Sequence, residues 1–417
     1  MKTPLFVVAD DLTGANDTSV TFAEAGLVTV LALNLNILKK CSADFDVLAV
    51  STGVRAKQDS AAARTAEVIS AAGTQMGALY IKIDSTMRGS VQEQVTGALT
   101  AWKSHAPEVK AVICPAYPEM GRTIEKGVLR VHGIPVNETA SGKDIISPVM
   151  SASMTELLPG AALFAAPESA ESLVRQIRNC TAQEIIVDAA SRTDLDRIAK
   201  AVFLSGDSVI PVGSAGLASS LAKILRSAAG SVPVREVTAC SKRVLIVDTS
   251  IHRTSQLQID GYIASPEGSR SVIFSPYPAQ LVSDRAAPVL QQQLHDLLKI
   301  ENANFIIRAN PISLLKWHED SSDIATAKKI AERFGYFAKY CLDAGDFGAL
   351  VLIGGDGAAA VLSEMKVDMI KVQCAVAEGV PLASVLGTKY KNLPVITKSG
   401  GFGTPDLLCR VIKKLTE

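Results

Sequence analysis

Asp10 and Asp11 stand side by side where the short apolar run LFVVA ends, and Thr13, Gly14 and a third acid, Asp17, follow at once. Adjacent like charges repel, so the pair needs a cation, a hydroxyl-rich ligand or solvent around it. Capping of a following helix accounts for one such acid, because Asp and Thr favour that position. It leaves the other unexplained. A second polar strip, YIKIDSTMRGS, places Lys82 inside an apolar run and Asp84, Ser85, Thr86 and Arg88 just past it. A lysine in mid-strand needs a partner or a bound anion, and an arginine offers a planar fork suited to a carboxylate or phosphate. The bland alternative is a Lys82–acid ion pair, with Ser90 capping the next helix. Arg55 lies in a similar place, beyond the run DVLAVST. Cations among acids and hydroxyls point to a small, anionic, hydroxylated ligand. PAYPEMGRT adds Arg122 in a turn rich in Pro and Gly, a weaker signal.

The second half carries different chemistry. LVLIGGDGAAAVL runs through Gly354, Gly355, Asp356 and Gly357 into an Ala-rich helical pattern. PVITKSGGFGTPDLL repeats the arrangement with Lys398 and with Gly400, Gly401, Phe402 and Gly403. Glycines let backbone amides approach a phosphate, and a helix N-terminus adds partial positive charge. Neither loop is a Walker motif or GxGxxG, and a plain turn competes with either one alone. Two such units in one half point to nucleotide phosphate. A third candidate, IVDTSIHRTSQLQ, sets Ser250, His252, Thr254 and Ser255 between a strand and a helix. Helix capping is the alternative for its hydroxyls, and His252 reads as an exposed loop residue rather than a catalyst.

The elements that must position these residues are legible as short β-branched runs alternating with Ala-rich helical patterns. Strands are expected at LFVVA, LVTVLAL, DVLAVST, LYIKID, AVICPA, EIIVDA and SVIPVG, and then at RVLIVD, SVIFS, NFIIRA, ALVLIGG, IKVQCAV and PVITKSG. Helices are expected over 59–72, 91–102, 170–179 and 215–229, and over 285–298, 323–344 and 405–414. The small, polar stretch 228–243, interrupted by Pro233, suits a linker. The expected fold is α/β, with two α/β domains over 1–232 and 240–417, mainly parallel sheets, and an active site in the interdomain cleft.

A chain of 417 residues has room for two or three cores. Its 42 Lys and Arg balance 42 Asp and Glu, so no overall field draws nucleic acid or an acidic membrane, and any anion site must be local. Seven scattered cysteines without a CxxC pair argue against a disulfide framework or a zinc cluster. The absence of HExxH and GxSxG argues against zinc and serine hydrolases. Acids arrive too early in MKTPLFVVADD for a secretory core, and no run approaches the roughly 18 apolar residues of a membrane span. A cytoplasmic location is expected.

Taken together, ADDLTGAND, KIDSTMRGS, PAYPEMGRT, VGSAGLA, IGGDGAAAVL, EGVP and TKSGGFG resemble the four-carbon acid sugar kinase family, in the family's order from residue 9 to 403. The resemblance implies ATP-dependent phosphorylation of the 4-hydroxyl of a four-carbon sugar acid, bound by the N-terminal domain, with ATP on the C-terminal domain. It favours D-threonate, with erythronate, 3-oxo-tetronate and 4-hydroxythreonine as alternatives. Carried over, Asp10, Asp11, Arg55, Lys82, Ile83, Asp84, Ser85 and Arg88 become substrate contacts. Ser250, Ser255, Gly354–Gly357 (with Asp356) and Gly400–Gly403 (with Phe402) become ATP contacts. Arg55, Lys82 and Arg88 are expected to hold the substrate carboxylate. Asp11 is the expected base, with Asp10 and Asp356 as rivals, and Mg²⁺ is expected on the ATP phosphates with Asp356 as one candidate to orient it. Two positions depart from the family pattern: Gly357 stands where a threonine is usual, and Thr249 opens a stretch that usually reads Gly-Ser-x-Ser. Small molecules are the expected partners, and homo-oligomerisation is left open. The competing classes are a nicotinamide oxidoreductase, disfavoured by the missing GxGxxG, and a non-catalytic sugar-acid sensor, which needs no pair of glycine loops.

Overall fold

The computed structural model describes residues 4–39, 45–55, 57–73, 76–144, 146–229, 243–250, 252–310 and 324–416. Most of the expected linker, 230–242, and Ile251 of the third candidate loop lie outside the described residues. The chain divides into two compact units, Met1–Val234 and Arg235–Glu417.

The first unit contains strands β1 (Leu5–Ala9), β2 (Thr29–Ala32), β3 (Val47–Ser51), β4 (Ala78–Lys82), β5 (Lys110–Cys114), β6 (Arg122–Glu125), β7 (Val128–Val131), β8 (Ile134–Pro135), β9 (Ala162–Phe164), β10 (Glu184–Val187) and β11 (Val209–Gly213). Eight of them form a parallel sheet in the order β2-β3-β1-β4-β11-β5-β10-β9. Parallel strands are covered by crossover helices on their faces, which is why LFVVA is apolar and buried at every position. From β1 the chain moves outward to β2 and β3, then crosses to β4 on the other side. This makes a topological switch point between β1 and β4, where open α/β sheets hold ligands beyond the strand ends. Ala9 pairs there with Lys82 on one side and Ser51 on the other.

Strands β6 to β8 form a separate antiparallel meander that the sequence reading did not anticipate. Its turns are Lys126-Gly127 and His132-Gly133, all four residues at φ between 50° and 81°. Paired left-handed residues match the twist of a two-residue hairpin.

The second unit contains β12 (Arg243–Asp248), β13 (Val272–Phe274), β14 (Phe305–Arg308), β15 (Phe347–Ile353), β16 (Met369–Ala377), β17 (Val380–Leu386) and β18 (Pro394–Lys398). Their order is β13-β14-β12-β15-β18-β17-β16; the first five are parallel and the last two antiparallel. The switch point falls between β12 and β15. Behind the sheet, the helix Leu407–Thr416 buries Leu407, Leu408, Val411, Ile412 and Leu415, an i, i+4 stripe packed against Val244, Ile246, Val351 and Ile353. Both units thus present the mainly parallel α/β architecture expected. No helix among the described residues is long and apolar enough to cross a membrane.

Candidate functional site

At the first switch point Asp10 follows β1 directly and is wholly buried. Its carboxylate accepts two bonds from one guanidinium: Arg55 Nε donates to Oδ2 at 2.6 Å and Nη2 to Oδ1 at 3.0 Å. Arg55 Nη1 donates to Asp11 Oδ2 at 2.5 Å. One cation therefore compensates both acids, which resolves the repulsion posed by their adjacency. Burial pushes the Asp10 carboxyl above its ordinary range, with Arg55 pulling it back and Asp11 adding to the rise. Burial alone would weaken the Arg55 cation, yet Asp10 and then Asp11 outweigh it and raise its pKa.

Asp11 caps the helix Leu12–Glu24, its Oδ1 accepting from the Gly14 amide at 2.6 Å. Its side chain is 25% exposed against 0% for Asp10. Asp11 is the acid a ligand can touch; Asp10 is the one that holds the guanidinium. Lys82, at the end of β4, is buried, and its Nζ donates to the Ile83 carbonyl at 2.8 Å. It makes no ion pair with any acid among the described residues, although its charge acts on the Asp10 carboxyl and helps to lower it. A Cβ on Gly14 would lie 2.7 Å from Asp11 Oδ1 and 3.0 Å from Lys82 Nζ, so glycine at 14 allows acid and ammonium to crowd together.

The neighbouring loop is organised by Asp84. It accepts from the Thr86 amide at 3.0 Å and the Thr86 hydroxyl, and from Arg88 Nε at 3.2 Å and Nη2 at 3.0 Å. Burial would raise the Asp84 carboxyl, but Arg88 foremost, helped by Arg55 and Thr86, holds it well below the usual carboxylate range. Arg88 Nη1 donates to Asp144 Oδ2 at 3.1 Å. A Cβ on Gly89, at φ 92°, would lie 2.8 Å from Arg55 Cγ, so this loop rests against Arg55. Ser90 makes no cap; its hydroxyl donates to Val54 O at 3.4 Å. Arg55 and Arg88 arrive already paired with protein carboxylates, leaving Lys82 as the cation of the three without an acid partner among the described residues. Asp10 and Ile83 are wholly buried. Ser85 is partly exposed at the start of the same loop.

The tips of β4, β11 and β5 are tied together. Tyr80 Oη donates to Ser214 O at 2.6 Å, and Ser214 Oγ to Ala116 O at 3.1 Å. Arg122 turns back onto the Met120 carbonyl.

The second switch point gathers all three loops expected to meet nucleotide. Gly354, at φ 104°, begins the helix Gly355–Glu364 without a side-chain cap, and its amide donates to Lys398 O at 2.8 Å. Ser255 Oγ lies within hydrogen-bonding distance of Ser250 Oγ (2.8 Å), His252 O (3.1 Å) and Gly400 O (3.1 Å). Ser255 is wholly buried, so it bridges two loops instead of presenting a hydroxyl outward. His252 is exposed and caps the helix Arg253–Ala264, its Nδ1 accepting from the Thr254 amide at 3.2 Å. A Cβ on Gly400 would overlap Ser250 Oγ, and one on Gly401 would lie 3.2 Å from His252 Nε2. Phe402 is held by Gln258 Nε2, which donates to its carbonyl at 3.0 Å, and its ring packs on Gly379 of the EGVP stretch. Gly403, at φ 88°, abuts Leu407. Gly355 and Asp356 are exposed, and nothing lies within 4 Å of a Cβ built on Gly355. The two departures from the family pattern meet in one contact, since a Cβ on Gly357 would overlap the Thr249 side chain.

Beneath these loops lies a buried charged layer of which the sequence reading picked out Lys398 but not Asp248 or Arg308. Asp248 and Arg308 are register partners on β12 and β14, and Lys398 ends β18. Asp248 accepts from the Ser250 amide at 3.0 Å and from Gln256 Nε2 at 2.9 Å, and Gln256 Oε1 accepts from Arg308 Nη2 at 2.7 Å. Lys398 Nζ donates to Ser399 O at 2.7 Å and Gly400 O at 3.3 Å. Burial pushes Asp248 up to about 7, against the pull of the Ser250 amide, Arg308 and Lys398. Burial also lowers Lys398 to about 8, opposed by Asp248. The available signal was a charge at the last position of an apolar strand. Among the described residues no three His, Cys, Asp or Glu side chains cluster to hold a metal.

The chain matches known families along nearly its whole length. A sugar-binding N-terminal domain model matches residues 5–221, and a nucleotide-binding C-terminal domain model matches residues 245–408. The chain is 35% identical to a D-threonate kinase of Bordetella bronchiseptica, across 99% of this chain and 97% of that one. It is 27% identical to a D-erythronate kinase of Heliobacterium modesticaldum, across 98% and 96%. A crystal structure of a Bordetella bronchiseptica protein, described as a domain-swapped dimer with bound citrate, matches with a TM-score of 0.50 at 32% identity, across 99% of this chain and 98% of that one.

Proposed function

We propose, from the premise that this chain belongs to the four-carbon acid sugar kinase family, that it transfers the γ-phosphoryl group of ATP to the 4-hydroxyl of D-threonate. The observation that carries the reading is the juxtaposition at Gly14 of a partly exposed carboxylate, Asp11, with an ammonium that forms no ion pair among the described residues, Lys82. A sugar acid needs both: an acceptor for a hydroxyl proton and a counter-charge for its carboxylate. Support for D-threonate comes from the name of the 35% identical relative. Erythronate, 3-oxo-tetronate and 4-hydroxythreonine share the carboxylate and terminal oxygen and are the alternatives. The citrate in the Bordetella structure is in keeping with a hydroxylated carboxylate ligand, and its dimeric state makes a homo-oligomer the assembly to test.

Phosphoryl transfer proceeds through a loose transition state, so positioning and charge compensation matter more than covalent help. Asp11 accepts a hydrogen bond from the attacking hydroxyl and takes its proton as the new P–O bond forms. Asp10, through Arg55, holds Asp11 in place and keeps its charge compensated. Lys82 faces the substrate carboxylate, while Asp84 and Arg88 shape the loop that carries Ser85. In the second unit the uncapped start of the helix Gly355–Glu364 and the open side of Gly355 fit phosphate oxygens. Mg²⁺, when bound, would offset charge on those oxygens, and Asp356, exposed in the first turn of that helix, is one candidate to orient it.

The test is an ADP-release screen over the stereoisomers of the four-carbon aldonates and their 3-oxo and amino analogues, with ATP and Mg²⁺. D-threonate should give the highest kcat/KM. Another acid in first place would move the substrate assignment, and no ADP with any of them would sink the reading.

A further inference from the structure

We propose that Thr249 is a positioning residue for the 354–357 loop, and that Gly357 is required by Thr249 rather than by the nucleotide. Thr249 is the first residue beyond β12, and both its polar groups reach the same acceptor. Its amide donates to the Ile353 carbonyl at 2.9 Å and its hydroxyl to that carbonyl at 3.0 Å. Ile353 ends β15, so Thr249 fastens the tip of one strand to the root of its neighbour's loop. A Cβ on Gly354 would lie 2.5 Å from Thr249 Oγ1, and one on Gly357 would overlap Oγ1, Cγ2 and Cβ of the same side chain. The threonine fills the notch that the two glycines leave.

The glycines of this loop therefore serve different ends. Gly354 is required by its backbone, at φ 104°. Gly357 has no positive φ and lies inside the helix Gly355–Glu364, where any L-residue fits the backbone, and the three atoms nearest to a Cβ built there all belong to Thr249. Gly355 is open on its Cβ side. With its proton committed to Ile353, the Thr249 hydroxyl has only lone pairs left and repels an anion. It sets the height of the loop and does not bind phosphate.

This inference rests on the loop being the phosphate site, and the test separates the two. Thermal midpoints without nucleotide, and KM for ATP and for the sugar acid, are measured for T249G, G357A, the double variant and T249V. G357A should lower the midpoint and raise the ATP KM about tenfold with the acid KM unchanged, and the double variant should return to within about twofold of T249G. T249V keeps the volume without the hydroxyl and should raise the ATP KM about fivefold, the worth of one hydrogen bond. Independent, additive effects of T249G and G357A would overturn the steric coupling, and a T249V with unchanged ATP KM would overturn the tie to Ile353. Coupled midpoints with an ATP KM that no variant moves would overturn the phosphate reading of the loop and leave the steric coupling of Thr249 to Gly357 standing. If G357A fails to fold, recovery of folding in the double variant reports the same coupling.

Discussion

The two units use one topological device for opposite chemistry. Each places its candidate residues beyond the ends of parallel strands at the point where strand order reverses. In the first unit the charges stand at that edge, and Asp11, Arg55 and Arg88 keep part of their surface open. In the second, the charges Asp248, Arg308 and Lys398 lie beneath the edge, almost wholly buried, and the loops above them are rich in glycine, with the side chains of His252, Asp356 and Phe402 exposed among them. On the proposed function, the difference follows from the ligands. A sugar acid must be told from its neighbours by individual hydroxyls, which takes side chains of defined charge. A triphosphate is bulky and polyanionic, so amides that come close without their own side chains suit it.

The comparison breaks most severely at Asp11. Asp11→Asn keeps the size and the cap on Gly14 but cannot take a proton. The kcat should fall about 10²- to 10⁴-fold, with both KM values within threefold by the same expectation of a group acting on the transition state. Near-normal turnover would remove Asp11 as the base and leave Asp10 or Asp356. Next comes Arg55, the shared counter-charge. Arg55→Ala strands the wholly buried Asp10 carboxylate, and breaking such a pair costs about 3–5 kcal/mol. Denaturant unfolding should show the loss. Arg55→Lys should recover little, since a point charge cannot span both Asp10 oxygens and Asp11 as the guanidinium does.

A smaller effect sharpens the other side of the comparison. Gly355→Ala adds a methyl group that meets no protein atom within 4 Å. The thermal midpoint should hold while the ATP KM rises about tenfold, as expected where a backbone must approach a phosphate closely. An unchanged ATP KM would show that the open side of Gly355 faces no ligand.

Much of this was legible because α/β strands are read by contrast: LFVVA ends at Asp10, and LVLI at Gly354-Gly355. The meander β6 to β8 escaped because its strands are short and its turns are Lys-Gly and His-Gly, not the Asn-Gly or Asp-Gly that usually announce a hairpin. Strand β17, VPLASVL, escaped because its opening residues were absorbed into the EGVP motif. At the site, residue types were visible and pairings were not. Nothing local says that Arg55 closes on Asp10 and Asp11, or that Arg88 finds Asp144, 56 positions away. Such partners are chosen by which strand tips the topology makes adjacent. The Thr249–Gly357 contact was hidden for the same reason, since its two members belong to different loops.

The smallest effect tests whether the second unit's charges are truly interior. Burial raises Asp248 to about 7, so the folded state binds this proton more tightly than the unfolded chain does. Its contribution to stability is therefore complete below the ordinary carboxylate pKa and is lost as pH rises through about 7. Lys398, lowered to about 8, acts with the opposite sign: its contribution is complete above the ordinary lysine pKa and is lost as pH falls through about 8. Asp248→Asn removes the first limb and withdraws the anion that opposes the lowering of Lys398, so the second limb should move to lower pH. Asp10 also carries a burial-raised carboxyl and has its own limb, so the informative quantity is the difference in unfolding free energy between wild type and D248N across pH 4 to 10. Wild type should lose ground to the variant as pH rises toward 7, while the sugar-acid KM stays fixed because the first unit is untouched. A difference that does not vary with pH would place Asp248 in contact with water and erase the contrast between an edge of open charges and a buried layer beneath glycine.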